Sequence, residues 1–254
     1  GWIPDMHIEP GAETTRLFRE RGWTHWHHLF NPRQLLLAGL LNRHMGTTLT
    51  FGFAQVLTNI SRLSRWNGTR TRGYGNTKQV FDNQALNTLF NYGCRGFSGC
   101  VDLLMNSFRS YPFEQSVSFK IRCHPADQME TENNIIITDP PYGDAINYDE
   151  ILEFFIAWLR KNPPPEFADW IWDSRRSLAI KGDGEDFRQG MVAAYKRMTE
   201  CMSDNGIQVI MFTHQSGAIW ADMANIVWAS GLQVTAAWYV VTETDSALRE
   251  GSYV

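Results

Sequence analysis

From Pro112 onward, short β-branched runs alternate with stretches of helical periodicity, and this alternation restricts the possible architectures more than any other feature of the chain. Ser116 to Cys123 reads as a strand, and Asn134-Ile135-Ile136-Ile137-Thr138 as a short strand buried on both faces. Ile151, Leu152, Phe155, Trp158 and Leu159 fall at helical spacing, and Pro163-Pro164-Pro165 stops that helix. Phe187, Met191, Ala194, Met198 and Cys201 mark one face of a second helix, and Ile207 to Thr213 is the next buried strand. Trp220, Met223, Ala224 and Val227 form a further helix closed by Gly231, and Leu232 to Thr242 reads as a long final strand. Strands separated by helices imply parallel pairing through crossovers, so residues 112–254 are expected to form a doubly wound α/β sheet.

Residues 1–111 read instead as a mainly helical region. Asn31-Pro32 supplies an N-cap and a first-turn proline, followed by Leu35, Leu36, Leu37, Leu40 and Leu41 in a helix expected to be buried on most sides. An apolar stretch runs from about Leu49 to Leu63, and Asp82 opens another helix that ends near Gly93. With 43% apolar and 20% charged residues, the chain is neither disordered, collagen-like nor a coiled coil. No apolar run is long enough to span a membrane. The four cysteines, at 94, 100, 123 and 201, follow no paired metal-ligand spacing and read as reduced thiols in a cytoplasm. The chain begins Gly1-Trp2-Ile3-Pro4 without an initiator methionine, which reads as a fragment or a processed chain.

The net charge of −4 conceals a marked asymmetry. Between Arg21 and Phe81 there are eight cations (Arg21, Arg33, Arg43, Arg62, Arg65, Arg70, Arg72 and Lys78) and no Asp or Glu. Clustered cations are what a phosphate-tracking surface needs, because each one releases counterions from nucleic acid whatever the overall charge. The densest piece, from Ser61 to Arg72, interleaves Arg62, Arg65, Arg70 and Arg72 with Ser, Thr, Asn and Trp66, which bond phosphates or stack on bases. A solvated loop paired with the acidic half of the same chain is the competing reading.

Ligands of open parallel sheets sit beyond the carboxyl ends of the strands, and the residues directly after Ile137-Thr138 are Asp139-Pro140-Pro141-Tyr142. Two consecutive prolines hold the backbone extended and leave carbonyls without N–H partners of their own. The Asp139 carboxylate and the Pro140 carbonyl make a rigid acceptor pair for the two hydrogens of an exocyclic amino group. Tyr142 is an aromatic plate for a base turned out of its helix.

This tetrad after a buried strand resembles the catalytic motif of S-adenosylmethionine-dependent amino-methyltransferases acting on DNA. The extension Gly143-Asp144-Ala145-Ile146-Asn147-Tyr148, followed by Glu153-Phe154-Phe155-Ile156-Ala157-Trp158-Leu159-Arg160, is similar to prokaryotic adenine-specific DNA methylases, some found beside anti-phage genes. Leu29-Phe30-Asn31-Pro32-Arg33-Gln34-Leu35-Leu36, Ser61-Arg62-Leu63-Ser64-Arg65-Trp66, Phe212-Thr213-His214-Gln215-Ser216 and Thr242-Glu243-Thr244 resemble that group too, so the likeness runs from about Trp23 to Tyr253. The resemblance implies a Rossmann-like methyltransferase sheet and direct methyl transfer to adenine N6 in DNA. Catalysis would fall to Asp139, Pro140, Pro141 and Tyr142, with Asp144 and Tyr148 lining the base pocket. It implies S-adenosylmethionine as cofactor, no metal, DNA as partner, and association with other subunits of a defence or modification complex. Asp127, in Cys123-His124-Pro125-Ala126-Asp127, stands where the family places a polar contact to the cofactor.

The family's glycine-rich cofactor loop is missing. Gly73-Tyr74-Gly75 follows an arginine-rich loop, Gly182-Asp183-Gly184 lies between helices, and Gly93, Gly96 and Gly99 have the wrong spacing. The sheet is therefore expected to be incomplete at both ends. Either the chain belongs to a longer enzyme, or a partner supplies the loop, or the protein no longer methylates. RNA as the methylated substrate, and a non-catalytic nucleic-acid-binding subunit of a defence complex, are the alternatives. His25, His27 and His28 fit no metal-site spacing and read as packing or surface residues, and His214 as a hydrogen-bonded strand-end residue.

Overall fold

A computed structural model describes residues 1–67, 76–77, 79–81, 97–106, 118–141, 147–182, 184–214 and 216–240. The chain divides into two compact units, Gly1–Phe119 with Tyr148–Ser177, and Lys120–Asn147 with Leu178–Val254. The segment Tyr148–Ser177, read from sequence with the 112–254 portion, is grouped with the N-terminal unit.

The first unit is helical. It contains α1 (Thr15–Arg21), α2 (Pro32–His44), α3 (Thr47–Ile60), α4 (Phe97–Asn106) and α5 (Tyr148–Leu159), with a two-residue antiparallel ladder between β1 (Trp66–Asn67) and β2 (Asn76–Thr77). The start of α2 is a closed capping box: Asn31 Oδ1 accepts from Gln34 N at 2.9 Å, and Gln34 Oε1 accepts from Asn31 N at 2.8 Å. Contrary to the sequence reading, α2 is not buried on most sides. Leu36 and Leu40 are exposed, and Gln34, Ala38 and Asn42, four residues apart, face inward. Asn42 is tolerated there because its Nδ2 donates to the Trp158 carbonyl at 2.9 Å.

Helix α5 forms the axis of this core. Its buried positions are Glu150, Glu153, Phe154, Ala157 and Trp158, the i, i+3, i+4 pattern of one face. The Phe30 and Phe53 rings meet Trp158 edge-on at 5.2 and 5.8 Å, and Trp26 meets Phe154 at 5.7 Å. The expected stripe is rotated: Leu152 is exposed, while two glutamates are buried. Arg176 explains them. Its guanidinium pairs with Glu153 and lies 3.9 Å from Glu150, whose Oε2 accepts from Thr14 N at 2.7 Å. Arg176 Nη1 also donates to Pro10 O and Thr14 Oγ1. The charges thereby lash the N-terminal segment to α5.

The second unit mixes helix and strand. Strands β3 (Asn133–Thr138) and β4 (Met202–Ile210) pair in parallel, with Ile135 opposite Ile207 and Thr138 opposite Ile210. The register is irregular between Asn133 and Ile135. Helices α6 (Glu185–Glu200) and α7 (Gly217–Ala229) build the core of this unit from Phe187, Met191, Tyr195, Met223, Ile226 and Val227. Gly231, at φ +82°, ends α7 in a left-handed turn that a side chain would strain.

Four strand expectations are corrected. β3 is buried on one face only: Ile136 is buried, whereas Ile135 and Ile137 are 63% and 64% exposed. The Thr138 side chain meets α6, and Ile210 packs against the α6–α7 core, while Ile207 and Val209 on the other face are exposed. Residues 118–123 and 232–240 belong to no strand. Their apolar residues, among them Phe119, Ile121, Val234 and Trp238, are exposed, so apolar character is present without a paired neighbour. The expected helix at Asp82 lies outside the described residues.

Candidate functional site

Because β3 and β4 are parallel, their carboxyl ends share one edge, where Asp139-Pro140-Pro141 and Met211–His214 emerge. Two bonds fix the last residue of β3. Met211 N donates to the Thr138 carbonyl at 2.9 Å, and the Thr138 and Tyr195 hydroxyls are bonded at 2.9 Å. Tyr195, on α6, is 2% exposed, and burial raises its phenol above the usual range, with the Asp139 charge adding to the rise. A phenol kept protonated remains able to donate at this corner.

Asp139 is exposed, while Pro140 and Pro141 are half-buried. Pro141 lines, with Phe187, Met191, Phe212, Met223 and Ile226, a cavity of about 10 Å³, roughly the space of one water. Pro141 thus borders the core of the second unit, and Asp139 is presented to solvent. That cavity admits no nucleobase, so a base at Asp139 would have to approach from the open side. Tyr142 and Asp144 lie outside the described residues.

Tyr148 starts α5 in the first unit, with its side chain 51% exposed. Asp127 lies exposed in a one-turn 3₁₀ segment, Ala126–Gln128. On the ligand edge, His214 Nδ1 accepts from Ser216 N at 2.9 Å and its carbonyl accepts from Trp220 Nε1 at 2.9 Å. A broad open hollow of about 730 Å³ lies at the opposite, amino end of the strands, lined by Glu130, Glu132, Glu200, Asp204 and Arg197. Its carboxylate excess disfavours phosphates.

S-adenosylmethionine needs a loop whose backbone can approach it closely. Strand β3 runs into Asp139-Pro140-Pro141 and β4 into Met211-Phe212-Thr213-His214, neither of which contains glycine. The described segments after the two strands therefore supply no such loop, and Asp127 alone does not make a site. No group of three His, Cys, Asp or Glu residues among the described residues is placed to hold a metal ion.

Of the basic segment, Arg62 and Arg65 are described and half-buried, and Arg70 and Arg72 lie outside the described residues. Arg62 Nη1 donates to the His28 carbonyl at 3.2 Å, and its guanidinium lies 4.8 Å from the centre of the Trp23 ring. Arg21 approaches the same ring at 5.4 Å. His7, His25, His27 and His28 cluster beside it, with ring centres 3.9 to 5.5 Å apart along successive contacts. His7 is distant in sequence and joins the cluster through its bridge to His25, so no spacing rule exposes it. Tyr195 escapes a reading from sequence for the same reason.

Comparison with family models, with curated proteins and with solved structures found no match. No helix among the described residues is long and apolar enough to cross a membrane.

Proposed function

We propose that the chain carries the base-holding portion of an S-adenosylmethionine-dependent adenine-N6 methyltransferase acting on DNA, with β3 and β4 as two strands of a Rossmann-like sheet. The observation that carries this reading is the placement of Asp139: it stands exposed at the carboxyl edge of a parallel pair, at the start of a double-proline corner whose Pro141 borders the packed core. Its carboxylate and the Pro140 carbonyl accept the two hydrogens of the adenine amino group. This favours a pyramidal nitrogen whose lone pair is no longer shared with the ring. The double proline holds the Pro140 carbonyl in place before the base arrives, so little backbone reorganisation is needed. S-adenosylmethionine, when bound, supplies the methyl group. Residues beyond those described, or a partner, must hold it.

The absence of a glycine-rich loop from the described segments after β3 and β4 favours a second reading, a nucleic-acid-binding subunit without its own transfer activity. Calorimetric titration of the full-length protein with S-adenosylmethionine separates the two, since the second predicts no heat of binding. Methyl incorporation into duplex DNA and into RNA then fixes the substrate. Incorporation into RNA alone would remove DNA from the proposal.

A further inference from the structure

We infer that the Arg21–Trp23–Arg62 stack and the four-imidazole cluster beside it form a phosphodiester-docking face on the first unit, which holds nucleic acid more tightly as His25 and His28 gain protons. The inference rests on the nucleic-acid part of the proposed function and is independent of methyl transfer.

The geometry supports a docking role over simple packing. Trp23 is approached by two guanidiniums, at 5.4 and 4.8 Å, and its ring is half-buried, so an edge of the stack meets solvent. Arg62 is held by the His28 carbonyl, which costs it mobility before any ligand arrives. Burial, helped by neighbouring rings, lowers the proton affinity of His25 and His28, and Arg62 adds to the effect at His28. The opposing carboxylate is Asp5, which acts on His25, and Asp5 is held by Lys161 at 2.5 Å with Arg160 nearby. The stretch from Arg21 to Phe81 contains no acid. Asp5, shared with Lys161, therefore compensates a protonated cluster only in part, and an external polyanion supplies the rest. Phosphates along nucleic acid alternate with planar bases, which suits fork-shaped guanidiniums beside an aromatic ring better than a fluid layer of lipid headgroups.

Fluorescence anisotropy of the full-length protein with a labelled DNA duplex, and with labelled single-stranded RNA, tests this across salt and from about pH 7.5 to about pH 5.5. Wild type should tighten by about tenfold over that range for at least one of the two nucleic acids. Arg21→Gln with Arg62→Gln should weaken binding at least tenfold and flatten the duplex salt slope by about 1.8, two contacts at roughly 0.9 each. His25→Gln with His28→Gln should retain most of the neutral-pH affinity while losing most of the pH dependence. Circular dichroism of each variant identifies any loss caused by unfolding, and in that case single Arg21→Lys and His25→Gln variants provide the readout. The inference is overturned if folded variants bind as wild type does at every pH, or if only phosphatidylserine vesicles bind. Methyl incorporation is not read in this assay, so its outcome and that of the Asp139 corner are separable.

Discussion

Replacing Arg176 by Met tests how the first unit tolerates two glutamates on the buried face of α5. Arg176, Glu150 and Glu153 are 5%, 5% and 1% exposed, so water cannot replace the guanidinium. Glu150 retains the Glu13 and Thr14 N–H groups, whereas Glu153 loses its charged partner. Removing one member of a buried pair typically costs about 3–5 kcal/mol, a large part of a stability of roughly 5–15 kcal/mol. The expected fall in thermal midpoint is of order 10 °C.

The pH dependence gives the sharper test. Burial raises the Glu153 carboxyl above its usual range despite Arg176, so its stabilising contribution is full below its unfolded value of about 4.3 and is lost as pH rises through the folded value. Without Arg176 the folded value rises further. The deficit of Arg176→Met should then be largest at neutral pH and shrink in acid, where Glu153 enters the core uncharged. Adding Glu153→Met to the variant should recover most of the loss. Chemical denaturation followed by circular dichroism at several pH values measures all three. A deficit below about 1 kcal/mol, or one equal at neutral and acid pH, would refute the reasoning.

Cys100 is fully buried and its thiol is pushed up to about 11, so Ellman's reagent should leave it unreacted in the native protein while labelling exposed Cys123 quickly. Equal rates at the two thiols would contradict the burial. Asn31→Ala opens the capping box of α2 and should cost about 1 kcal/mol in denaturant titration, whereas Asn31→Asp should cost much less. Because His25 and His28 hold protons less tightly when folded, the stability they contribute is present above about pH 6.5 and lost as pH falls through their folded values. Over that range the thermal midpoint should drop, and less so in His25→Gln; an unchanged drop would contradict it. Tyr195→Phe removes a hydroxyl bonded to Thr138 and should destabilise by roughly 0.5–1.5 kcal/mol, with no change outside the second unit in hydrogen exchange.

What the sequence discloses, and what it does not, follows the range of the forces involved. Asn31-Pro32, Pro163-Pro164-Pro165 and Gly231 are local punctuation, and α2, α5 and α7 begin or end accordingly. Ile135-Ile136-Ile137 identifies a strand for the same reason, since β-branched residues state their preference without help. Burial is not local. A run of three isoleucines looks buried on both faces, but only the Ile136 side meets a helix layer. Helix α5 is apolar nearly all round, so its inward face is set by Arg176, twenty-three residues beyond Glu153. Alternation at 118–123 announces an extended chain, but pairing requires a neighbour that only the fold can provide. The Asp139-Pro140-Pro141 corner is legible because its rigidity is covalent. Its support from Tyr195 and the α6–α7 core, and the joining of His7 to His25, come from contacts between distant segments.

The most direct test is transfer of labelled methyl from S-adenosylmethionine by the full-length protein to duplex DNA, compared between wild type and Asp139→Ala. The account predicts label on adenine N6 with wild type and none with the variant, at unchanged circular dichroism. Undiminished transfer by folded Asp139→Ala, or label on any atom other than an exocyclic amino nitrogen, would contradict it.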